Sequence, residues 1–358
     1  MIKIAITILL LFLPLADSIG QMVFSPKFYV CYRAERVITI DGKLDEPSWQ
    51  KADWTDNFVD IEGSPKPVPR FRTRAKMLWD DTYLYFGAEL EEPDVWATLT
   101  QRDAVIFHDN DFEIFIDPDG DTHEYYEFEM NALNTVWDLL LVKPYRDGGP
   151  PVDGWDIHGL RTAVSVQGTL NKSGDRDTGW TVEIAYPWKA LRECAHKAAP
   201  PKSGDQWRVN FSRVEWHVLT GGGNYQKVVD PKTGNPFPED NWVWSPQGLI
   251  DMHYPEMWGF IQFSEKIAGN GTDTYRFRPE ENAKWALRRI YYEEKRYFDM
   301  NKRFAGDTTV LGLHDLGATG YLPPAIEVTR DSYQATIESM DGKQRWHIGP
   351  DGRTWVTQ

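Results

Sequence analysis

The densest chemistry in this chain lies between Arg102 and Lys143, where eleven acidic residues occur without a Lys or Arg among them. Nine of the eleven fall in residues 109–129. Residues two apart on a strand share a face. Asp111 and Glu113 therefore point one way while Phe112, Ile114 and Ile116 point to a core. By the same alternation Glu127, Glu129 and Asn131 lie opposite Phe128 and Met130. Two adjacent strands would bring Glu113 and Glu129 onto one polar surface. Such a surface is either a solvated outer face or a groove that binds a cation or a polar ligand.

Three chemistries are open to these groups. Asp117-Pro-Asp-Gly-Asp-Thr-His123 sets Asp117, Asp119 and Asp121 at alternating positions around a Gly turn. That arrangement suits a hard cation such as Ca²⁺, although the rest of an EF-hand loop is missing. Carboxylates among Glu113, Glu127 and Glu129 could serve as the acid/base pair of a glycosidase. Alternatively, the same carboxylates could accept hydrogen bonds from sugar hydroxyls without catalysis. His108 and His123 lack the spacing of a zinc site, and no phosphate loop, nucleophile elbow or dinucleotide fingerprint occurs.

The elements that must position these groups read as β from about residue 28 to 265. Short alternating runs at 74–79, 83–88, 111–117, 125–130, 136–142, 163–166, 180–186, 207–214 and 258–263 are punctuated by Gly, Pro, Asn and Asp. This spacing predicts an antiparallel β-sandwich, with one helical turn at 187–192. Residues 266–278 read as a linker. Pro279 opens an amphipathic helix, and four short strand candidates follow, so 279–358 is expected as a small α+β appendage.

Composition narrows the function. The chain has 358 residues, with 39 Lys and Arg against 54 Asp and Glu, a formal charge of −15. A surface that acidic repels phosphate backbones and excludes a general nucleic-acid role. Aromatic residues reach 14%, including 16 Trp, enough for both a core and platforms that stack on sugar rings. Lys3, the apolar stretch 4–15 and Ser18-Ile19-Gly20 read as a secretory signal peptide over residues 1–20. No later segment is apolar enough to span a membrane, and Cys31 lies too far downstream for a lipobox. A secreted or periplasmic protein is expected. In that oxidising setting Cys31 and Cys194 form either one disulfide or two separate buried thiols.

Several motifs together carry a family resemblance. Ile40-Asp-Gly-Lys-Leu-Asp-Glu-Pro-Ser-Trp49, Ala75-Lys-Met-Leu-Trp-Asp-Asp-Thr-Tyr-Leu-Tyr-Phe86, Asn110-Asp-Phe-Glu-Ile-Phe-Ile-Asp117, Gly179-Trp-Thr-Val-Glu-Ile-Ala-Tyr-Pro-Trp188, Asn210-Phe-Ser-Arg213 and Trp258-Gly-Phe-Ile-Gln-Phe263 resemble, in this order, family 9 carbohydrate-binding modules. The resemblance implies immunoglobulin-like layering of the sandwich, bound Ca²⁺ and a sugar held between two aromatic faces. It implies Glu113 and Asn131 as sugar-binding residues and Phe107 as the first clamp aromatic. The second clamp falls at Met252, with Trp242, Trp244 and Tyr254 near enough to substitute. The family's arginine two residues before the asparagine is Glu129 here, a reversal of charge.

The stretch 241–256, with His253 among its polar and aromatic residues, reads as a recognition loop at the sandwich rim, and Arg213 precedes it on a strand. The leading expectation is an exported carbohydrate-binding protein acting in polysaccharide recognition and catabolism, with a carbohydrate-active enzyme as partner. In that reading Glu113, Asn131 and Arg213 hydrogen-bond the sugar. A glycosidase built on the carboxylates is the alternative. A haem protein of the related DOMON-like group is a third reading, for which no axial pair stands out.

Overall fold

The computed structural model describes residues 23–221 and 223–358, so the leader expected at 1–20 lies outside the described residues. The first strands are β1 (Phe28–Arg33), β2 (Val59–Asp60), β3 (Thr73–Trp79) and β4 (Tyr83–Glu91). The acidic region supplies β5 (Asp111–Asp117), β6 (Tyr125–Asn131) and β7 (Val136–Leu141). Next come β8 (Pro151–Val152), β9 (Arg161–Gln167), β10 (Gly179–Pro187) and β11 (Gln206–Glu215). A hairpin, β12 (Val218–Gly221) and β13 (Asn224–Lys227), precedes β14 (Asp240–Val243) and β15 (Gly259–Ile267). The tail carries β16 (Ala325–Val328), β17 (Tyr333–Glu338), β18 (Arg345–Ile348) and β19 (Thr354–Thr357). Helices are α1 (Pro47–Lys51), α2 (Trp188–Leu191) and α3 (Glu280–Asn301).

One hydrogen-bonded path of strands runs β8-β7-β6-β5-β11-β15-β1-β3-β4-β10-β9, with β14 and β2 branching from β11. It folds into two layers because alternate residues on both halves are apolar. Phe112, Ile114, Ile116, Phe128, Met130, Val209 and Phe211 from one half share a core with Met77, Phe86, Val182, Ile184 and Tyr186 from the other. Phe86 meets Phe211 edge-on at 5.7 Å between ring centroids, and Phe128 meets Tyr186 at 5.6 Å. The architecture is the expected mainly-β sandwich. It departs from the antiparallel expectation at β1, which runs parallel to both β15 and β3. Parallel neighbours need a long crossover. The stretch 34–72, carrying α1, supplies one of them.

The expected linker has no regular structure after Ile267, yet it is laid along the sandwich. Gln206 and Gln262 side chains bind the Arg276 and Thr274 carbonyls, and Tyr275 stacks on Phe28 at 4.4 Å. Helix α3 begins after Pro279 with Glu280 and Glu281 in its first turn, the favourable end of the helix dipole for acids. It stops where Lys302 turns left-handed. Its apolar stripe, Ala283, Ala286, Leu287 and Ile290, packs on Tyr333, Ala335, Ile337 and Ile348 of the β16-β17-β18-β19 sheet. Tyr254 and Met257 from the sandwich enter that same core, so the appendage is docked. Both cysteines are buried and free. Among the described residues no helix is long and apolar enough to cross a membrane.

Candidate functional site

The register of β5 on β6 sets Glu113 directly across from Glu129, Phe115 across from Glu127 and Asp111 across from Asn131. On the other side Ser212 of β11 faces Glu113. Asp111, Glu113, Glu127 and Glu129 therefore form one floor on the face turned away from the core, and loops wall it so that each is only 0–6% exposed. Asp111 Oδ1 accepts the Val214 amide at 3.1 Å, while its Oδ2 has no partner. Glu129 Oε2 accepts the Phe107 amide at 3.0 Å. Glu127 Oε2 has no partner.

Burial pushes the Glu113 carboxyl up to about 7. Burial, and after it the Glu113 charge, pushes Asp111, Glu127 and Glu129 well above the ordinary carboxylate range. Around the floor stand Phe107, Trp137, Tyr145, Met252 and His253. Trp137 lies across from Glu129 on β7. Tyr145 meets the His253 ring edge-on at 4.4 Å, and the Tyr125 hydroxyl lies 2.8 Å from His253 Nδ1. Burial, with Arg146 nearby, drives His253 down to about 3, so the ring is neutral, with Nε2 4.0 Å from Glu127. An acidic floor ringed by aromatic edges accepts hydrogen bonds from below and offers apolar faces at the sides.

Four expected site residues are engaged inside the fold. Arg213 follows Val209 and Phe211 on the inward face of β11 and is 0% exposed. Its guanidinium is consumed by Glu92 at 2.7 Å, Glu215 at 2.8 Å and Thr73 at 3.0 Å. Trp242 pairs across from Arg213, so the same alternation turns it into the core, where it is 3% exposed. Trp244 is 1% exposed and fills the space above Gly259, where a Cβ would come within 2.4 Å of the indole. Asn131 is fully buried and closes a turn. Its amide nitrogen binds Leu99 O and Asp109, and its oxygen takes the Leu133 and Thr135 amides. In each of the four, the polar groups or ring faces are taken up by contacts within the fold.

Glu113, Glu127, Glu129, Phe107, Met252 and His253 do come together. Trp137 and Tyr145 were missed. Alternation along 136–142 would have put Trp137 on the face of the acids had the pairing of β7 been known.

At the far end of the hairpin Asp117, Asp119 and Asp121 each bring an oxygen within 4.8 Å of the others. These oxygens are engaged. Asp117 takes the Gly120 and Thr122 amides, Asp121 takes the His123 amide at 2.8 Å, and Arg353 of the appendage pairs with Asp121 at 2.6 Å. Lys284 reaches the Gly120 carbonyl at 3.1 Å. The loop is a docking point as well as a candidate Ca²⁺ site.

The comparisons with known proteins place the floor in context. Residues 40–210 match the family model described as carbohydrate family 9 binding domain-like. The chain is 26% identical over 172 residues to Exoglucanase XynX of Acetivibrio thermocellus and 24% identical over 172 residues to Endo-1,4-beta-xylanase A of Thermoanaerobacterium saccharolyticum. Each alignment covers 48% of this chain and 13% of the relative, so the chain spans about an eighth of those proteins. A solved family 9 carbohydrate binding module from Caldicellulosiruptor kristjanssonii in complex with cellotriose is 16% identical, with a TM-score of 0.44, over 70% of this chain and 100% of that one. The module from the same organism with glucose gives 16% identity and a TM-score of 0.43, over 69% and 100%. The matched segment holds β2 to β10 and all four floor carboxylates, while Met252 and His253 come from outside it. Residues 40–210 are thus similar to the carbohydrate family 9 binding domain-like model, and the strands flanking them, β1, β14 and β15, join the same sheet.

Proposed function

We propose that this chain is a carbohydrate-binding protein that seats an oligosaccharide, or the end of a polysaccharide, over Glu113, Glu127 and Glu129. The observation carrying this is a floor of four carboxylates without a Lys or Arg partner among the described residues, ringed by Phe107, Trp137, Tyr145 and Met252. Hydroxyls donate to carboxylates, and the apolar CH faces of a sugar ring pack on aromatic edges. The reading extends to a secreted or periplasmic setting, supported by the leader expected at 1–20, and to service beside polysaccharide-degrading enzymes. Supporting that partner class, the curated relatives are named as an exoglucanase and a xylanase.

Catalysis on the same residues is less well supported. Asp111, Glu113 and Glu129 bring oxygens within 4.8 Å of one another from a single floor. An inverting pair stands about 6.5–9.5 Å apart and a retaining pair about 5–5.5 Å, flanking the bond between them. Ca²⁺ at Asp117, Asp119 and Asp121 is kept as a further proposal, in which the ion competes with Arg353 for Asp121.

Calorimetric titration with a panel of soluble oligosaccharides tests the reading. Glu113→Gln and Trp137→Ala should each weaken binding at least tenfold, whereas Trp355→Ala, on the appendage, should leave it unchanged. Folded Glu113→Gln and Trp137→Ala proteins that bind like the parent would overturn the site. Release of reducing sugar that stops in Glu113→Gln would replace binding by hydrolysis.

A further inference from the structure

We propose that the floor itself is a cation site, in which Asp111, Glu113 and Glu129 hold one divalent ion of the calcium class with Glu127 alongside. This ion would be distinct from one at Asp117, Asp119 and Asp121.

The first ground is geometry. Calcium–oxygen distances are about 2.3–2.6 Å, so two oxygens of one coordination shell stand at most about 5 Å apart. Asp111, Glu113 and Glu129 each offer an oxygen within 4.8 Å of the other two. They come from neighbouring strands in direct register, which fixes the spacing by sheet geometry and not by loop conformation.

The second ground is the unfilled bonding capacity pointed into this space. Asp111 is fully buried, and its Oδ2 meets no donor. Glu127, 5% exposed, leaves Oε2 equally alone. A buried acceptor without a partner is costly, and more so when it is ionised.

The remaining groups around the floor do not supply the missing positive charge. The donors that reach it are the Val214 and Phe107 amides and the Ser212 hydroxyl, all of them neutral. His253 stands 4.0 Å from Glu127, beyond hydrogen-bond reach. Lys227 lies over the Trp216 ring at 3.2 Å. Elsewhere the fold meets the same problem with guanidinium groups: Arg213 serves Glu92 and Glu215, and Arg146 serves Glu256. The floor has only oxygen donors, with no thiolate and no imidazole in bonding contact. That selects a hard cation over zinc or copper.

Protein carboxylates would supply part of a shell of six to eight oxygens, leaving positions for water or for ligand hydroxyls. The last possibility, a sugar hydroxyl on the ion, rests on the carbohydrate reading above.

Terbium luminescence sensitised by tryptophan tests the site on the full chain, because Trp137 adjoins Glu129. Tb³⁺ should light up the parent and be displaced by Ca²⁺. In Glu113→Gln/Glu129→Gln the sensitised signal should need at least tenfold more Tb³⁺, and Asp111→Asn is a second variant should the pair fail to fold. Asp119→Asn/Asp121→Asn should keep the signal. A signal that survives in the floor variants but vanishes in the loop variant would overturn the proposal, as would a dark parent. Glycan binding unchanged in EDTA, with a dark parent, would sink the cation and leave the carbohydrate reading. Bright terbium with no glycan bound by any variant would do the reverse.

Discussion

The acids at the seam between sandwich and appendage differ from those of the floor in one respect, which is company. Glu256 is buried with Arg146 at 2.9 Å, and with Arg288 and Tyr292 beside it. Glu281 has Arg208 at 2.7 Å, Asp147 has Lys295 at 2.8 Å, and Asp121 has Arg353. Asp111, Glu113, Glu127 and Glu129 have no such partner among the described residues. The electrostatics follow: burial works to raise the Glu256 carboxyl, but Arg146 and Arg288 outweigh it and hold it below its ordinary value. On the floor burial is opposed only by neutral donors, the Val214 and Phe107 amides and the Ser212 hydroxyl, and it wins. The strand β5 touches both regions, so acidic sequence alone does not mark a site. What separates a structural acid from a functional one here is whether the fold supplies its counter-charge.

The largest test of this contrast is at the seam. Arg146→Met should strand Glu256 in a buried position and destabilise the chain by roughly 3–5 kcal/mol, read as a lower urea midpoint. An unchanged midpoint would mean the seam pair is incidental.

Neutralising the floor should have the opposite sign. In chelator at pH 8, Glu113→Gln/Glu129→Gln should stabilise the apo protein by about 1–3 kcal/mol, the scale of an unsatisfied buried group. A lower Tm in this variant would show that the floor carboxylates stabilise the fold by themselves.

Glu294 carries the contrast into the appendage. It is fully buried on α3, with Oε2 on the Ala305 amide at 2.9 Å and Oε1 unpartnered, and burial raises it to about 7. A carboxyl raised in the fold contributes stability that is complete below its unfolded value, near 4.5. That contribution is lost as pH climbs through 7. Glu294→Gln should therefore raise Tm at pH 8 and leave it unmoved at pH 4. Equal shifts at both pH values would locate the effect in packing.

The smallest effect is expected at the half-exposed Arg353. Arg353→Ala should cost less than about 1 kcal/mol, and by freeing Asp121 it should enlarge the rise in Tm produced by Ca²⁺. A Ca²⁺ response that shrinks would mean the arginine does not compete for the loop.

Much of this was legible in the sequence because the strands alternate cleanly. The pairing of Glu113 with Glu129 follows from two strands and a turn, and the helix after Pro279 follows from its apolar spacing. The reading failed where a residue was chosen before its face was known. Trp242 and Trp244 stand close in sequence to Met252, where the resemblance puts the second clamp, and Arg213 precedes that loop, so sequence nearness points to all three as sugar contacts. On β11 and β14, however, Arg213 and Trp242 occupy paired inward positions, and Trp244, just past β14, packs in the same core. Trp137 was missed for the converse reason. The docking of the appendage was illegible because Arg208, Arg146 and Arg353 lie far in sequence from the acids they meet.

The seam also bears on how separable the domains are. Tyr254, Met257 and Phe24 contribute to the appendage core, and the Arg146 guanidinium lies 4.0 Å from the Tyr254 ring centroid. A chain ended at the close of β15 would bare those rings. It would also deprive Arg208 of Glu281 and Glu256 of Arg288 and Tyr292. The sandwich is therefore not a portable cassette that can be excised and fused elsewhere with its surface intact. An engineered unit that keeps these contacts includes α3 and the β16–β19 sheet.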